Sequence, residues 1–484
     1  MTGASEFAGK RIAVIGLAAT GLAAARVLRD RGALVCLYDS QPEAKLPADR
    51  VADARALGED ARSGGVTLAL GAGDLDWSAT DLVVPSPGVP RFAPPLVEAA
   101  RRGVPVLGEI EVAYRLAEAP ILAITGTNGK TTTTALLGAI CRESGRETFV
   151  AGNIAEDAGV RLPLIEAAVR AGEDAVIVAE ISSFQLEWVE GFRPRVGAWL
   201  NIADDHLDRH RDLDEYARAK ARLFAAQNQD DVAVLNADDE NVLRCAEGVG
   251  SGARWQFSTR GPVVVGTYRD GQMLAARLPG GTEIALMDAA EIPIPGTHNV
   301  ANVLAAGAAA LAFGIAPEAI RRAVRGFGGV PHRMERVATI NGVRYVNNSM
   351  CTNPAAVAAS LEAAGGPVVA IVGGKHKGGD LAGMARSIKE YARKVVLIGV
   401  SAPELAGALA AAGMGANDIE RAGSLHSAVS LAAALAQPGD TVMLAPGCAS
   451  FDMFTGFEQR GQVFRDAVRD LAGRDLAGEE VRCP

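Results

Sequence analysis

Short apolar runs recur along the chain, and each is followed by a glycine-containing turn and a longer segment rich in alanine and leucine. The short runs predict buried strands, and the longer segments predict helices. This alternation predicts an α/β fold with largely parallel sheets. The stretch 268–290 differs, because its short runs are broken by Gly and Pro, and it predicts a small antiparallel patch.

The length of 484 residues predicts about three domains. Boundaries are expected at Pro120, which follows a helix-like stretch, and at the glycine-rich segment 326–331. We therefore expect an N-terminal domain over 1–118, a central domain over 119–329 and a C-terminal domain over 330–484. The first and last are expected to be Rossmann-like, and the central one is expected to resemble a P-loop ATPase.

Composition narrows the possible classes of function. With 49% hydrophobic and 22% charged residues, the chain has the composition of a soluble globular protein. A net charge of −9 argues against nucleic-acid binding, which depends on clustered Lys and Arg. The scattered cysteines predict a reducing compartment. We expect no signal peptide, because residues 1–10 lack a basic region followed by an apolar core, and no membrane span, because no apolar run is long enough. We expect a cytoplasmic monomer with no membrane span.

The strongest candidate for chemistry is a phosphate-binding loop. A strand-like run at 121–124 leads into Gly126-Thr127-Asn128-Gly129-Lys130-Thr131-Thr132, which opens a helix-like segment. Backbone N–H groups of such a turn bind phosphate oxygens, Lys130 would reach the outer phosphates of ATP, and the Thr131 hydroxyl would bind Mg²⁺. The match is incomplete, since Ile124 stands where the general pattern has glycine. The alternative is an ordinary strand-to-helix turn with an exposed lysine.

Acidic residues follow two further predicted strands of the central segment. Glu180 ends one strand-like run, and another leads to Asp204-Asp205-His206-Leu207-Asp208. Carboxylates at strand ends beside a phosphate loop suit Mg²⁺. Either cluster alone would favour a solvated, capped turn, but together with the loop they favour a metal–nucleotide site. Lys220 lies in the helical pattern 214–224, where the sequence by itself favours a surface lysine.

The outer segments also place small and polar residues after apolar runs. The turn 16–21 has Ala18 in place of the second glycine of a dinucleotide fingerprint. Two interpretations remain open: a packing turn, or a nucleotide-diphosphate site with Asp39 or Ser40 on the ribose or base. In the last segment, the loop 373–380 indicates either an anion site or a flexible basic loop.

Taken in order, these motifs resemble those of the Mur ligases, the ATP-dependent amide-forming enzymes of peptidoglycan synthesis. The turn 126–132 has the family's short form, G-T-N-G-K-T-[ST], which accounts for the missing first glycine. Similar motifs span nearly the whole chain, at 180–186, 201–208, 331–335, 449–452 and 457–461. The resemblance implies a ligase that joins D-glutamate to the L-alanyl carboxylate of UDP-N-acetylmuramoyl-L-alanine through an acyl phosphate, using ATP and two Mg²⁺ ions.

The resemblance also implies roles for individual residues, with catalytic functions for Lys130, Glu180, His206 and Lys220. The implied ATP contacts are Gly126, Thr127, Asn128, Gly129, Lys130, Thr131, Thr132, Asn299 and Arg333. The implied metal ligands are Thr131, Glu180, His206 and, if carbamylated, Lys220. The implied contacts to the UDP substrate are Thr20, Asp39, Ser40, Ser86, Gly88 and Asn153. The implied glutamate contacts are Thr352, Lys377, Ser450 and Phe457.

One motif departs from the family pattern. The family often shows N-D-S-K-A-T-N where this chain has Asn347-Asn348-Ser349-Met350-Cys351-Thr352-Asn353. The acid that usually meets the ATP ribose is replaced by Asn348, and the usual lysine is replaced by Met350. Losing one acid and one base leaves the local net charge unchanged, so we expect altered domain closure in a working enzyme.

Several alternatives remain at this stage. The nearest alternative is a related ligase with another amino-acid specificity, such as L-glutamate. The D-N-P-R motif typical of the diamino-acid ligase is absent, since the corresponding residues 376–380 read H-K-G-G-D. Folylpolyglutamate synthetase lacks the N-terminal UDP-type domain. A nicotinamide-dependent oxidoreductase is disfavoured by Ala18 and by the phosphate loop. A non-catalytic UDP-sugar-binding protein would not need Lys130, Glu180 and His206 together.

Overall fold

The computed structural model describes residues 6–59, 65–71, 75–154, 162–203, 209–294, 296–376 and 378–480. Contacts between residues divide the chain into two compact units, Met1–Phe327 and Gly328–Pro484. No helix among the described residues has both the length and the apolar composition needed to cross a membrane.

The first sheet lies at the start of unit one. Its strands are β1 (Arg11–Ile15), β2 (Leu34–Asp39), β3 (Val66–Leu70) and β4 (Leu82–Pro85), and its helices are α1 (Ala19–Asp30), α2 (Ala48–Glu59), α3 (Pro94–Arg102) and α4 (Glu109–Leu116). The strands are all parallel, in the order β3-β2-β1-β4. Helix α1 approaches the end of β1 so closely that a Cβ on Gly21 would overlap the carbonyl oxygen of Gly16.

The central sheet completes unit one. Its strands are β5 (Ile121–Thr125), β6 (Thr148–Gly152), β7 (Val176–Glu180), β8 (Val196–Trp199), β9 (Val232–Asn236), β10 (Ala253–Ser258), β11 (Gly266–Asp270), β12 (Met273–Arg277) and β13 (Glu283–Asp288). Its helices are α5 (Lys130–Glu143), α6 (Leu164–Arg170), α7 (Leu213–Ala221), α8 (Glu240–Ala246), α9 (Thr297–Ala312) and α10 (Pro317–Gly326). The strand order is β13-β12-β11-β10-β9-β8-β5-β7-β6. Strands β5, β7 and β8 are buried at every position, as expected for parallel strands covered on both faces.

Unit two is built on the third sheet. Its strands are β14 (Glu335–Ile340), β15 (Val343–Asn347), β16 (Val368–Gly373), β17 (Ala392–Ile398), β18 (Ile419–Arg421) and β19 (Thr441–Leu444). Its helices are α11 (Pro354–Ala363), α12 (Leu381–Tyr391), α13 (Ala402–Ala411), α14 (Leu425–Leu435) and α15 (Phe457–Glu480). The strand order is β14-β15-β19-β16-β17-β18, and only the β14–β15 pairing is antiparallel among the described strands of this unit.

The predicted α/β class with largely parallel sheets is confirmed. The antiparallel patch predicted for 268–290 is also confirmed, since β11, β12 and β13 pair antiparallel at one edge of the central sheet. Strand positions were predicted to within a few residues, because the apolar runs that form them are visible in the sequence. Glu180 proves to be the last residue of β7 itself.

Two buried acids at the start of α4 stabilise unit one in different ways. Glu111 is fully buried, and its carboxylate accepts backbone N–H groups from Glu190, Gly191 and Phe192 and a side-chain N–H from Arg115. These donors compensate its negative charge. The neighbouring Glu109 is 3% exposed, and its Oε1 accepts the N–H of Ile165 over 2.7 Å. Burial raises the pKa of Glu109 to about 7.

Because the pKa of Glu109 lies above its usual value of 4.5, the folded protein holds this proton more tightly than the unfolded chain. Stability from this group is full at low pH and is lost as pH rises towards 7. We predict that Glu109→Gln, which keeps the acceptor and removes the charge, flattens the pH dependence of the thermal midpoint between about pH 5 and pH 8. Over this range, the free energy of unfolding of the wild type should fall by about 2 kcal/mol relative to that of the variant.

The matched control for this prediction is Glu111→Gln. It should lower the midpoint at both pH values, because it weakens several charge-assisted hydrogen bonds. Thermal unfolding of the three proteins at both pH values makes the comparison. An identical pH dependence in the wild type and in Glu109→Gln would contradict the prediction.

Candidate active site

The phosphate loop connects β5 to α5 at the carboxyl edge of the central sheet. Its shape depends on two glycines with positive φ, Gly126 at 154° and Gly129 at 82°. Gly129 is the N-cap of α5 and lies against Asn302, so that a Cβ there would overlap the Asn302 side-chain oxygen. The positive end of α5 and the N–H groups of its first turn therefore face the loop, where they can bind an anion.

Asn201, which follows β8, holds the outer part of the loop. Its Oδ1 accepts the N–H groups of Thr127 and Asn128 over 3.1 and 2.8 Å, and its Nδ2 donates to the Asn128 carbonyl over 3.1 Å. Sequence reasoning gave Asn201 no role of its own. The available signal was an Asn close to the end of a predicted strand, two residues after the last residue of β8.

The loop lysine lies over the loop backbone. Lys130 Nζ donates to the carbonyl oxygens of Gly126 and Thr127 over 3.0 and 2.9 Å. Thr131 is 8% exposed and Thr132 is half-buried in the same turn of α5. The loop thus combines a cation, hydroxyl groups and a helix N-terminus, as an ATP-binding loop requires.

Glu180 lies beside this loop. It is paired in register with Ile124 of β5 on one side and with Gly152 of β6 on the other. The side chain is 2% exposed, and Asn153 Nδ2 donates to its Oε1 over 3.0 Å. The structure therefore brings together a predicted metal ligand and a predicted substrate contact.

The surface position expected for Lys220 from the helical pattern is wrong. The residue is 1% exposed, and its Nζ donates to the Gly126 carbonyl over 2.8 Å. The ammonium also lies 4.4 Å from the centroid of the Tyr216 ring. Helix α7 packs its Lys220 face against the loop, and this long-range contact has no signal in the local sequence. The burial fits the role that the family resemblance implies.

A chain of side-chain hydrogen bonds extends the site to α9. Asn302 Nδ2 donates to Asn299 Oδ1 over 3.0 Å, and Thr133 of α5 donates to Asn302 Oδ1 over 3.2 Å. The N-terminal parts of α9 and α5 are thereby joined at the loop. Asn299, a predicted nucleotide contact, is half-buried at the edge of this network.

Some predicted residues lie outside the described part of the chain. These are His206 with its neighbours Asp204, Asp205 and Asp208, and Lys377. Among the residues that the structure describes, no three His, Cys, Asp or Glu side chains come together as a metal site. The described oxygen donors at the loop, Thr131 and Glu180, are of the type that Mg²⁺ prefers.

The predicted contacts to the UDP substrate follow neighbouring strands of the first sheet. Asp39 Oδ2 accepts the N–H of Leu17 over 2.9 Å, and Ser86 Oγ donates to the Gly16 carbonyl over 3.1 Å. Both side chains thus hold the turn after β1. Thr20 lies in the first turn of α1, Ser40 follows β2 and Gly88 follows β4, and these three residues are half-buried or exposed.

Arg209 connects the first and central sheets, a role that sequence reasoning missed. Its guanidinium donates to both carboxylate oxygens of Glu187 over 2.9 and 2.7 Å and lies 4.3 Å from the Phe184 ring centroid. It also donates to the carbonyls of Pro87 and Val89 over 3.2 and 3.0 Å. The turn that contains Ser86 is therefore fixed to the segment after β7. No charge pattern in the sequence indicates this pairing.

The predicted glutamate contacts in the described part of unit two surround three adjacent strand ends. Thr352 follows β15, Ser450 follows β19, and Phe457 begins α15. Backbone bonds between Lys375 and Ala449, over 2.8 and 3.1 Å, bring the loop after β16 to the same edge. The predicted nucleotide contact of this unit, Arg333, is exposed in the turn before β14.

Three family descriptions match successive parts of the chain. Residues 10–108 match the Mur ligase MurD-like N-terminal domain, residues 124–310 the Mur ligase middle domain, and residues 332–448 the Mur ligase glutamate ligase domain. These matches confirm the three-domain organisation, while the bounds 118/119 and 329/330 remain predictions.

Relatives of nearly equal length carry one name, UDP-N-acetylmuramoylalanine–D-glutamate ligase. The protein of that name from Pelotomaculum thermopropionicum is 45% identical over 471 residues, which cover 96% of this chain and 99% of the relative. The one from Syntrophotalea carbinolica is 44% identical, covering 97% and 99%. The solved structure of UDP-N-acetylmuramate-alanine ligase from Thermotoga maritima has a TM-score of 0.55 at 19% identity, covering 95% and 99%, which shows a shared fold.

We predict that Gly129→Ala abolishes ATP binding, because the added Cβ would overlap Asn302 in a backbone conformation that L-residues seldom adopt. Gly145→Ala is the matched control, since Gly145 also has a positive φ, of 85°, but a Cβ there meets no atom within 4 Å. The control should cost about 1 kcal/mol of stability and leave ATP affinity unchanged. Calorimetric titration with Mg-ATP and thermal unfolding separate the two effects. Equal ATP affinity in both variants would contradict the prediction.

Proposed function

The chain belongs to the Mur ligase family, and we propose that it joins D-glutamate to UDP-N-acetylmuramoyl-L-alanine at the expense of ATP. The main support is the near-complete alignment, at 45% identity, with a relative named for this reaction. The loop, with the buried side chains of Glu180 and Lys220 beside it, supports the same chemistry independently. The reaction forms a cytoplasmic precursor of peptidoglycan, and we propose that the chain acts as a monomer.

In the proposed first step, the L-alanyl carboxylate attacks the γ-phosphorus of ATP and forms an acyl phosphate with release of ADP. Both reactants are anions, so the approach needs local positive charge. Lys130 and the N-terminus of α5 supply that charge within the loop. In the second step, the free amine of glutamate attacks the acyl carbon, the nitrogen loses a proton, and the tetrahedral intermediate collapses with cleavage of the bond to phosphate, which leaves.

The loop region provides ligands for Mg²⁺. Thr131 and Glu180 would hold one ion, and His206 with a carbamylated Lys220 would complete the binding of a second. When bound, Mg²⁺ neutralises phosphate charge and polarises the transferred phosphoryl group. Asn153 fixes the direction of the Glu180 carboxylate, since it donates to Oε1 over 3.0 Å.

Substrate recognition is assigned to the outer sheets. In the proposal, the UDP moiety contacts Thr20, Asp39, Ser40, Ser86 and Gly88, and Asn153 lies near the muramoyl group. Glutamate contacts Thr352, Lys377, Ser450 and Phe457. ATP also contacts Asn299 and Arg333. Closure of the domains around the substrates would exclude water from the acyl phosphate.

The direct test is phosphate release from Mg-ATP in the presence of UDP-N-acetylmuramoyl-L-alanine. The amino acid added is D-glutamate, L-glutamate or neither. We predict release with D-glutamate alone. Release with L-glutamate would keep the ligase chemistry and overturn the stereochemical assignment, and silence with both amino acids would refute the proposed function.

We further predict that Lys220→Ala lowers turnover about a hundredfold or more, because it removes a group that positions the reacting charges. Added acetate, formate or bicarbonate should partly restore this variant by supplying a carboxylate in the vacated space. Lys130→Ala is the matched control, since its loss removes a cation and the same acids should not restore it. If Lys220→Ala turned over at the wild-type rate, the proposed carbamate would be refuted.

A further inference from the structure

The turn 331–335 holds Arg333 between two residues in the left-handed backbone region. The φ angle is 64° at His332 and 46° at Met334. Residues with side chains seldom adopt this conformation, and it persists only where surrounding groups hold it. The groups that hold the turn therefore determine how Arg333 is oriented.

The side of the turn before Arg333 is fixed by a buried polar cluster. The N–H of His332 donates to Glu335 Oε2 over 2.8 Å, and its Nδ1 lies 3.0 Å from Asn347 Nδ2. Asn347 Nδ2 also lies 2.9 Å from Glu335 Oε2. Gly461 of α15 packs against the imidazole so closely that a Cβ there would overlap the ring.

The side of the turn after Arg333 depends on Asn348. The N–H of Met334 donates to Asn348 Oδ1 over 3.1 Å. Asn348 Nδ2 donates to Ser360 Oγ over 2.7 Å, and the Ser360 hydroxyl donates to the Ala356 carbonyl over 2.6 Å. The Asn348 side chain is 5% exposed, and both of its polar ends are used inside unit two. This placement does not suit a direct contact with a ribose.

We propose that Asn348 is a positioning residue. Its side-chain oxygen holds the N–H of Met334, directly after Arg333, and so sets the direction in which Arg333 meets the nucleotide. The inference rests on the proposed function, in which Arg333 contacts ATP. Asn348 acts through Arg333 and makes no contact with the ribose. The replacement of the family's usual acid is then tolerated, because the turn needs only an acceptor oxygen at this position.

The first experiment compares three variants in the phosphate-release assay. Asn348→Ala removes the acceptor for the part-buried Met334 N–H, and it should raise KM for ATP about tenfold with kcat within about twofold. KM for the UDP substrate should not change.

Asn348→Asp keeps an acceptor, and the Ser360 hydroxyl can rotate to donate to it, so KM for ATP should stay within about threefold of the wild type. Ser360→Ala, the matched control, removes the other hydrogen bond of Asn348 and should change KM for ATP less than about twofold.

The second experiment separates positioning from contact or from general destabilisation. In an Arg333→Ala background, Asn348→Ala should raise KM for ATP no further, whereas independent effects would multiply. The ratio of KM for 2′-deoxy-ATP to KM for ATP should be the same in the wild type and in Asn348→Ala. Multiplying effects, or a ratio altered by the Asn348 substitution, would overturn the inference.

Other outcomes remain distinguishable. An inactive wild type would refute the proposed function, whereas an active wild type with an unchanged Asn348→Ala would refute only the positioning role. Circular dichroism checks that each variant folds. If Asn348→Ala does not fold, Asn348→Ser takes its place in both experiments, because its hydroxyl is too short to reach the Met334 N–H and it should behave as the alanine variant does.

Discussion

The phosphate loop is shaped by the side-chain amides of Asn201 and Asn302, and the rest of the candidate site depends on that shape. Asn201 accepts two N–H groups of the loop, and Asn302 fills the space where a side chain on Gly129 would lie. A single hydrogen bond of this kind contributes about 1 kcal/mol, and the bonds to Asn201 together with the contact at Asn302 restrict the loop backbone. Glu180 and Lys220 can then be placed against a fixed loop, which favours catalysis because the charged groups need no rearrangement.

In unit two, a buried polar side chain, Arg460, likewise fixes the backbone around it. This side chain is fully buried, and it donates to the hydroxyl and carbonyl oxygens of Ser349 and to the carbonyl of Cys448. Burial lowers its pKa to about 10, so it remains a cation at neutral pH. The ends of β15 and β19 are thereby tied to α15. Asn347 and Asn348 extend this polar cluster to the turn that holds Arg333, so the orientation of one exposed arginine depends on contacts far inside the unit.

The elements predicted from sequence are those that depend on local pattern. Apolar runs and turn residues in the sequence indicated the strands, the loop 126–132 and the antiparallel patch. The acid at the end of β7 was indicated by its position after an apolar run. The burial of Lys220 was not, because it depends on a contact with Gly126, 94 residues earlier in the chain. The Arg209–Glu187 pair and the high pKa of Glu109 likewise depend on which elements pack together. Such contacts have no local signature, so only the family resemblance pointed to Lys220.

The burial of Lys220 also bears on its proposed modification. Moving an ammonium from water into a protein interior costs several kcal/mol, and the Gly126 carbonyl and the Tyr216 ring offset part of that cost. Carbamylation joins carbon dioxide to the neutral amine and leaves a carbamate anion. A carbamate at this position would replace a buried cation by an anion, and Mg²⁺ bound at Glu180 and Thr131 would stabilise that anion. In the proposed arrangement, with Mg²⁺ bound, the position that is costly for a lysine would favour its carbamate, and the metal and the modification would stabilise each other.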